Sequence, residues 1–161
     1  MAHNFTFFWQ NRSPFSNWYP SKFTHSGINF TRGEQYMMYQ KAIMFDDTTI
    51  AEAILLTDNP REQKDLGRMV HNYDDTVWAS RRVEIMIAGL YEKFSQNPKL
   101  RDALLATKDT ELVEASPYDL IWGIGYTSDN PSALDKAKWR GQNLLGVTLM
   151  AVRDKLHEQY E

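Results

Sequence analysis

The sequence contains no cysteine, so disulfides, thiolate nucleophiles and zinc held by cysteine are all excluded. This absence fits a reducing compartment. The four histidines, at positions 3, 25, 71 and 157, are scattered without the spacing of a metal site. A metal held by carboxylates alone stays open, but no spacing calls for one, and we predict neither a metal nor a cofactor.

Long apolar runs are also missing from the chain. No stretch approaches the roughly 20 apolar residues that a membrane helix needs, and the N-terminus lacks the basic-then-apolar pattern of a signal peptide. We therefore expect no membrane association and a cytoplasmic location. The net charge of −3 shows no excess of basic residues, so any contact with nucleic acid has to depend on a local patch.

The composition is that of one folded domain. With 161 residues, 42% of them hydrophobic, and no repeat or linker, the chain is predicted to form a single domain over 1–161. Aromatic residues make up 13% of it, and many stand beside polar residues rather than within apolar runs. Rings in such settings suit stacking on a flat ligand, although aromatic side chains more often fill a core.

Hydrophobic periodicity and end signals divide the chain into helices and short strands. Asn59 before Pro60, and Asn97 before Pro98, are typical helix starts. The predicted helices cover 34–45, 48–56, 60 to about 68, 75–95, 98–106 and 142 onward, and the predicted strands cover 5–9, 28–30 and 111–116.

The longest predicted helix carries an apolar stripe that indicates its buried face. That stripe consists of Val83, Met86, Ile87, Leu90 and Phe94. Trp78 lies off it, on a line with Arg82 and Ile85, and is expected to face a different neighbour, for which a ligand pocket is one candidate.

The stretch 34–45, EQYMMYQKAIMF, is almost wholly apolar yet carries Glu34 and Lys41. At helical spacing the two lie about two turns apart on one face, and Lys41 leans back toward the helix start. Charged groups on a buried helix are paired or used in chemistry. A ligand site, a buried structural pair, and an acid placed for the helix dipole all remain open. The shared face comprises positions 34, 37, 38, 41, 42 and 45.

The loop 10–21, QNRSPFSNWYPS, combines rings with hydrogen-bonding groups. Arg12 could meet a phosphate or carboxylate, Ser16 offers a hydroxyl, and Asn17 could fix a base or ribose. The alternative is a loop that its aromatic residues pin to the core. Arg68, near the end of a predicted helix, is either a phosphate clamp or a solvated helix-end residue.

A second polar and aromatic segment, YDLIWGIGY, covers 118–126. Asp119, Trp122, Gly123 and Gly125 supply a carboxylate, an indole and two permissive backbone positions within seven residues. This combination suits close approach of the backbone to a ligand, and it also suits a plain turn.

Several separated motifs, in order, resemble the NADAR superfamily, which includes riboflavin-intermediate N-glycosidases. PFSNWYPS is similar to the FSN loop of that family, GEQYMMYQK to its SEHYFQxxK helix, YDLIWGIG to its DxxWGxG element and NLLGVTLMAVR to its NxLGxxLMxxR ending. LGR at 66–68 and Trp78 fit as well. Gln35 stands where many members carry histidine.

The resemblance implies a mainly α (α+β) single domain with several helices and a few short strands, and hydrolysis of an N-glycosidic bond. The implied substrates are ADP-ribose attached to guanine in DNA or RNA, or phosphoribosylamino-pyrimidine intermediates of riboflavin synthesis. A non-catalytic reader of ADP-ribose or NAD-like ligands is the alternative of another class.

These residues allow a set of roles in ribosyl C–N cleavage. Glu34 would stabilise the cationic transition state, Lys41 would act as a Schiff-base nucleophile, and Asp119 would orient that lysine or a water. The other predicted site residues would bind the substrate: Arg12, Ser16, Asn17, Arg68, Trp78, Trp122 and Gly123.

Overall fold

The computed structural model describes residues 4–160, so His3 and both ends of the predicted domain lie outside the described residues. Within that range, three short strands are followed by five α-helices, a fourth strand and a sixth α-helix. The strands are β1 (Phe5–Phe8), β2 (Phe23–His25), β3 (Ile28–Phe30) and β4 (Glu111–Glu114), and the helices are α1 (Gly33–Met44), α2 (Thr48–Leu56), α3 (Pro60–Gly67), α4 (Asp75–Gln96), α5 (Pro98–Leu105) and α6 (Leu144–Tyr160).

The mainly α class with a few short strands is confirmed, and the helix bounds fall close to those predicted. The last helix begins at Leu144 rather than near 142, because Asn143 has a left-handed φ of 54° that a helix cannot contain. Asn59 caps α3 as expected through Arg61 N–H. Asn97 does not cap α5 with its side chain, because its amide donates to the Lys93 carbonyl.

Two features of the fold were not predicted. The strand Phe23–His25 forms an antiparallel hairpin with β3, and two 3-10 helices, Pro131–Leu134 and Lys136–Lys138, shape the segment expected to be an irregular loop. Both are short, and neither carries a periodic pattern long enough to detect.

Strands β1 and β4 run parallel, with Phe5 opposite Glu111 and Phe8 opposite Glu114. Parallel strands end at the same edge, so the chain leaves both of them on one side. The loop after β1 and the loop after β4 therefore start as neighbours, and the rings of Trp9 and Tyr118 lie 6.2 Å apart. This pairing brings together the two segments that the sequence marked as candidate site loops.

Helix α1 lies at the centre, in contact with α2, α3 and α4. Gly89 of α4 permits close approach to α1, since a Cβ there would stand 2.1 Å from the Tyr36 ring. The Tyr36 hydroxyl donates to the Ile85 carbonyl at 2.8 Å. Gly67 plays the same part in α3, beside the Met38 sulfur. These contacts bury the first half of α1 on all sides.

The buried face of α4 differs from the predicted stripe. Val83 and Ile87 are only half-buried, whereas Trp78 lies on the buried face rather than off it. The pattern was misread because two cations, Arg82 and Lys93, belong to the buried face. The residues buried in this helix are Trp78, Arg82, Met86, Gly89, Leu90, Lys93 and Phe94. Throughout 4–160, no helix is both long enough and apolar enough to cross a bilayer.

Candidate active site

Glu34 occupies the first turn of α1 and is only 5% exposed. Its Oε1 accepts a hydrogen bond from the indole Nε1 of Trp18 at 2.9 Å. Its Oε2 is buried and has no hydrogen-bond partner. Burial raises the pKa of the Glu34 carboxyl above its usual range, and the Trp18 bond opposes that shift. One oxygen is thus held in place while the other is left for a ligand.

The loop that carries Trp18 is fixed through its backbone carbonyls. The Asn17 carbonyl accepts from Glu34 N–H at 2.9 Å, and the Trp18 carbonyl accepts from Arg32 Nη1 at 2.6 Å. The Ser16 carbonyl accepts from Lys93 Nζ at 3.2 Å. Because each partner belongs to the helical core or its edge, the indole is held rigidly over the carboxyl.

Ser16 and Asn17, predicted to bind substrate, lie in this fixed loop. The Ser16 hydroxyl accepts from Trp18 N–H at 3.1 Å, which is a local turn contact. The Asn17 amide oxygen is buried without a partner, and a Cβ on Gly33 would lie 2.5 Å from it. Ser16 therefore serves the loop itself, while Asn17 keeps one unused acceptor.

Lys41 lies on the same face of α1 as Glu34 and is half-buried. Its Nζ stands 4.4 Å above the centre of the Tyr73 ring. Burial lowers the pKa of Lys41, while the Glu34 charge raises it. No ion pair within 4.0 Å joins Glu34 to Lys41 in the described chain, so the two act on each other across a gap.

Asp119 reaches the same region from the loop after β4. Its charge raises the pKa of Glu34. Its Oδ1 accepts from Ile121 N–H at 2.9 Å and from Trp122 N–H at 2.8 Å, so that oxygen is used to close its own turn. Among the described residues, no hydrogen bond or ion pair joins Asp119 to Lys41.

Glu114, the last residue of β4, is a site group that the sequence interpretation missed. Burial, with the charges of Asp119 and Glu34, raises its pKa to about 8. Lys64 of α3 is half-buried nearby, and its charge lowers the pKa of both Glu34 and Glu114. Three carboxyl groups and two amines therefore influence one small region. Within residues 4–160, no three histidine, aspartate or glutamate side chains are placed to hold a metal ion.

Gly123 and the two predicted stacking tryptophans line the protein interior. A Cβ on Gly123 would stand 2.9 Å from the Asp119 carbonyl oxygen and 3.0 Å from that of Glu114, so the glycine allows the two segments to meet. Trp78 and Trp122 are both buried. Neither indole N–H donates to a described residue.

The two arginines predicted to bind phosphate are placed differently. Arg12 lines a groove of about 550 Å³ with Phe8, Trp9 and Phe15, and none of the three catalytic candidates lines that groove. Arg68 has a side chain that is 65% exposed and lies 3.8 Å from Asp65. Its charge lowers the pKa of Lys41, which places it at the edge of the Glu34 region.

Two more buried polar residues support the site. Lys93 is fully buried, and desolvation lowers its pKa to about 7. Gln35 donates to the carbonyls of Ile54 and Thr57 and accepts from Thr31 N–H. A side-chain amide offers two donor hydrogens and two acceptor lone pairs, whereas a histidine ring offers only its two nitrogens. An amide therefore suits position 35.

Replacement of Trp18 by phenylalanine tests the indole bond to Glu34. Loss of a donor to the ionised carboxylate should raise the pKa of Glu34 further, and NMR titration of carbon-13-labelled glutamate side chains would measure it. Trp139→Phe is the matched control, since its indole N–H donates to the Ala133 carbonyl instead. An unchanged or lower Glu34 pKa in Trp18→Phe would contradict the assignment.

Glu114→Gln should change the pH dependence of stability. Below about pH 4.5 the carboxyl is protonated in both the folded and the unfolded chain. Between about pH 4.5 and pH 8 it ionises in the unfolded chain but keeps its proton in the folded chain, so the wild type loses stability as the pH rises through this window. The variant should therefore gain stability over the wild type across that window, by roughly 2–4 kcal/mol. Urea unfolding near pH 4.5 and pH 8.5 measures this gain. Exposed Glu158→Gln should show no such trend, and a gain of equal size at both pH values would refute the prediction.

Comparison with known proteins identifies the family and agrees with the fold. A family model described as the NADAR domain matches residues 7–157. An N-glycosidase of Acanthamoeba polyphaga mimivirus is 40% identical over 146 residues, covering 88% of this chain and 86% of that protein. A riboflavin biosynthesis protein of Vibrio vulnificus is 36% identical over 149 residues, which cover 92% of this chain and 37% of that protein.

The solved structures include the same fold. The NMR structure of the E. coli protein YbiA matches with a TM-score of 0.80 at 28% sequence identity, covering 99% of this chain and 88% of that one. Because the family model spans nearly the whole chain and the relatives exceed 30% identity over most of it, this chain belongs to the NADAR domain family.

Proposed function

We propose that this protein removes ADP-ribose from guanine bases in nucleic acid by hydrolysing the ribosyl C–N bond. In its general class of reaction it is a hydrolase acting on N-glycosyl compounds, which its relatives named N-glycosidase support. The observation that carries the proposal is the Glu34 carboxyl, with one oxygen held by Trp18 and the other unpartnered, in electrostatic reach of Lys41.

Cleavage of a ribosyl C–N bond passes through a state with positive charge at the anomeric carbon. A carboxylate whose one oxygen is fixed can present the other to that carbon without reorganisation. Glu34 fits this role, because it is buried and its second oxygen accepts no hydrogen bond. Burial raises its pKa above the ordinary value, which makes the carboxylate a better proton acceptor.

Lys41 supplies the nucleophile in this proposal. The C1′–O4′ bond of the ribose breaks, O4′ takes a proton, and an iminium to the base nitrogen forms. The Lys41 amine adds to that carbon and gives up a proton, the base nitrogen takes a proton and leaves as an amine, and an imine to lysine forms. Water then adds to that imine and releases the sugar aldehyde and the free amine. Burial lowers the pKa of Lys41, which increases the fraction of neutral amine that can attack.

A proton for the departing nitrogen is available from the carboxyl cluster. Three neighbouring carboxyl groups resist ionising together, and Glu114, with a pKa of about 8, keeps its proton at neutral pH. Glu114 as acid and Glu34 as base would divide the proton transfers between them. Asp119 would act through its charge on both groups rather than by orienting Lys41.

Exposed apolar residues beside Asp119 favour a polymeric substrate over a small one. Tyr118 is 85% exposed, and its ring lies 6.2 Å from that of Trp9. Leu120 and Ile121 are exposed in the same turn. Bases that flank a modified guanine could stack on this surface, which would give affinity without a basic patch. The net charge of −3 is tolerable when the contacts are confined to one base and its neighbours.

A second candidate is hydrolysis of a phosphoribosylamino-pyrimidine intermediate of riboflavin synthesis. It is favoured by the relatives named riboflavin biosynthesis proteins, among them the one of Vibrio vulnificus. Both candidate substrates contain the ribosyl C–N bond that is cleaved, and they differ in the groups attached on either side of that bond. A reader that binds ADP-ribose without cleavage has no need of an acid and an amine on a buried helix.

Product analysis distinguishes these functions. The protein is incubated separately with ADP-ribosylated guanine oligonucleotide and with the phosphoribosylamino-pyrimidine, and products are identified by mass spectrometry. Release of ADP-ribose supports the proposal, and release of ribose 5-phosphate supports the second candidate. Glu34→Gln should lower kcat by roughly 10²–10⁴-fold without loss of the folded state in a thermal melt. Calorimetric binding of ADP-ribose without either product would indicate a reader.

Trapping with borohydride tests the covalent step at Lys41. Reduction of the imine during turnover should leave a sugar adduct on Lys41, which peptide mass spectrometry would locate. Lys41→Ala should form no adduct and should lose turnover, although Lys64 and Lys93 remain present as matched amines. Normal turnover by Lys41→Ala, or an adduct on another lysine, would eliminate this step.

A further inference from the structure

Arg82 is a buried cation without a partner. Its residue is 8% exposed, and its Nε is buried with no hydrogen-bond acceptor. Throughout 4–160 its guanidinium makes neither a hydrogen bond nor an ion pair. The other buried arginines differ, because Arg32 binds Asp58 and the Trp18 carbonyl, and Arg153 donates to the Thr107 hydroxyl. An arginine cannot shed its proton, so a buried and unpaired one calls for an anion.

Tyr73 links α4 to the proposed catalytic lysine, because its hydroxyl donates to Asp75 at the start of that helix and its ring lies under the Lys41 Nζ. Arg82 lies about two turns further along α4. Its charge lowers the pKa of Tyr73, whose ring stands beneath the Lys41 Nζ. Burial and the charges of Asp75 and Asp74 outweigh that effect and raise the Tyr73 pKa to about 12. Lys41 of α1 therefore contacts the Tyr73 ring, and Arg82 of α4 acts on the same tyrosine through its charge.

The acids in this region are already used elsewhere. Asp75 accepts a hydrogen bond from the Tyr73 hydroxyl at 2.7 Å, and Asp74 accepts from the N–H groups of Thr76 and Val77 at the start of α4. Neither carboxylate reaches Arg82. The guanidinium is therefore left to bind an anion that comes from outside the chain.

A second unused donor lies on the same helix face. Trp78 precedes Arg82 by one helical turn, is 5% exposed, and its indole N–H donates to no described residue. A guanidinium fork with an indole N–H beside it matches the several acceptor oxygens of a phosphoryl group.

We propose that Arg82, with Trp78 beside it, binds the 5′-phosphoryl group of the ribose whose C–N bond is cleaved at Glu34 and Lys41. This inference rests on the proposed function for the identity of the sugar. Both candidate substrates carry a phosphoryl group on the 5′ oxygen of that ribose, as a diphosphate in ADP-ribose and as a monophosphate in the pyrimidine. The site selects phosphorylated ribosyl compounds and discriminates against the corresponding nucleosides.

This placement differs from the predicted phosphate contacts. Arg12 lies in a groove that none of the three catalytic candidates lines, and Arg68 is exposed at a helix end. Arg82 differs from both because its residue is mostly buried and it makes no hydrogen bond or ion pair with the described residues. Charge–phosphate bonds gain strength where water is largely excluded.

Calorimetry with ribose 5-phosphate, ADP-ribose and unphosphorylated ribose tests the site. The wild type should bind the two phosphorylated ligands and not ribose. Arg82→Gln should weaken both by about tenfold to a hundredfold, which corresponds to the loss of one or two charged hydrogen bonds. Arg81→Gln is the matched control, because Arg81 is the exposed neighbour paired with Glu84, and it should change the Kd by less than about twofold.

Other results would overturn the inference. Equal affinity of Arg82→Gln and wild type for ribose 5-phosphate would do so, and so would the absence of phosphate-dependent binding in the wild type. If Arg82→Gln does not fold, Arg82→Lys keeps the charge without the fork and should still bind more weakly. Failure of the proposed function is distinguishable, since ligand binding that depends on Arg82 without any product would leave this site intact and remove only the hydrolysis.

Discussion

The attachment of the Ser16–Trp18 loop to the start of α1 determines the rest of the site. Three successive carbonyls accept from Lys93, from Glu34 N–H and from Arg32. A loop held by its backbone cannot shift without breaking several buried hydrogen bonds at once. The Trp18 indole is consequently presented to the Glu34 carboxyl in one orientation. Catalytic geometry of this kind depends on such prior fixation, because a donor that must reorganise gives less stabilisation.

The electrostatics follow from the same packing. Glu34 is buried where glycines allow α1 to pack closely against its neighbours. Glu114 at the end of β4 and Asp119 in the following loop act on the same carboxyl or are acted on by it. Three carboxyl groups would repel one another strongly if all were ionised in a medium of low dielectric constant. Lys41 and Lys64 offset part of this repulsion, and protonation of Glu114 offsets more. The cluster is thereby able to hold and release protons near neutral pH.

The local sequence pattern was sufficient to predict features that depend on contacts between residues close together in the chain. Helical spacing placed Glu34 and Lys41 on one face of α1, and the helix starts followed from Asn–Pro signals. The local pattern was insufficient to predict site residues that a distant segment brings into the site. Glu114 and Lys64 enter the site because β1 pairs with β4 and α3 packs on α1, and neither contact leaves a signature in nearby sequence. The proximity of Asp119 was anticipated, but the use of one of its oxygens in its own turn was not.

The two cations on the buried face of α4, Lys93 and Arg82, differ in how their side chains can respond to burial. A lysine can respond to desolvation by losing its proton, and Lys93, with a pKa lowered to about 7 and a carbonyl acceptor, is adequately accommodated as a neutral or charged group. An arginine has no such response, since its guanidinium stays charged at any pH that a protein meets. Arg82 makes no hydrogen bond or ion pair with the described residues. The proposed phosphoryl ligand would supply to Arg82 the counter-charge that the described residues do not.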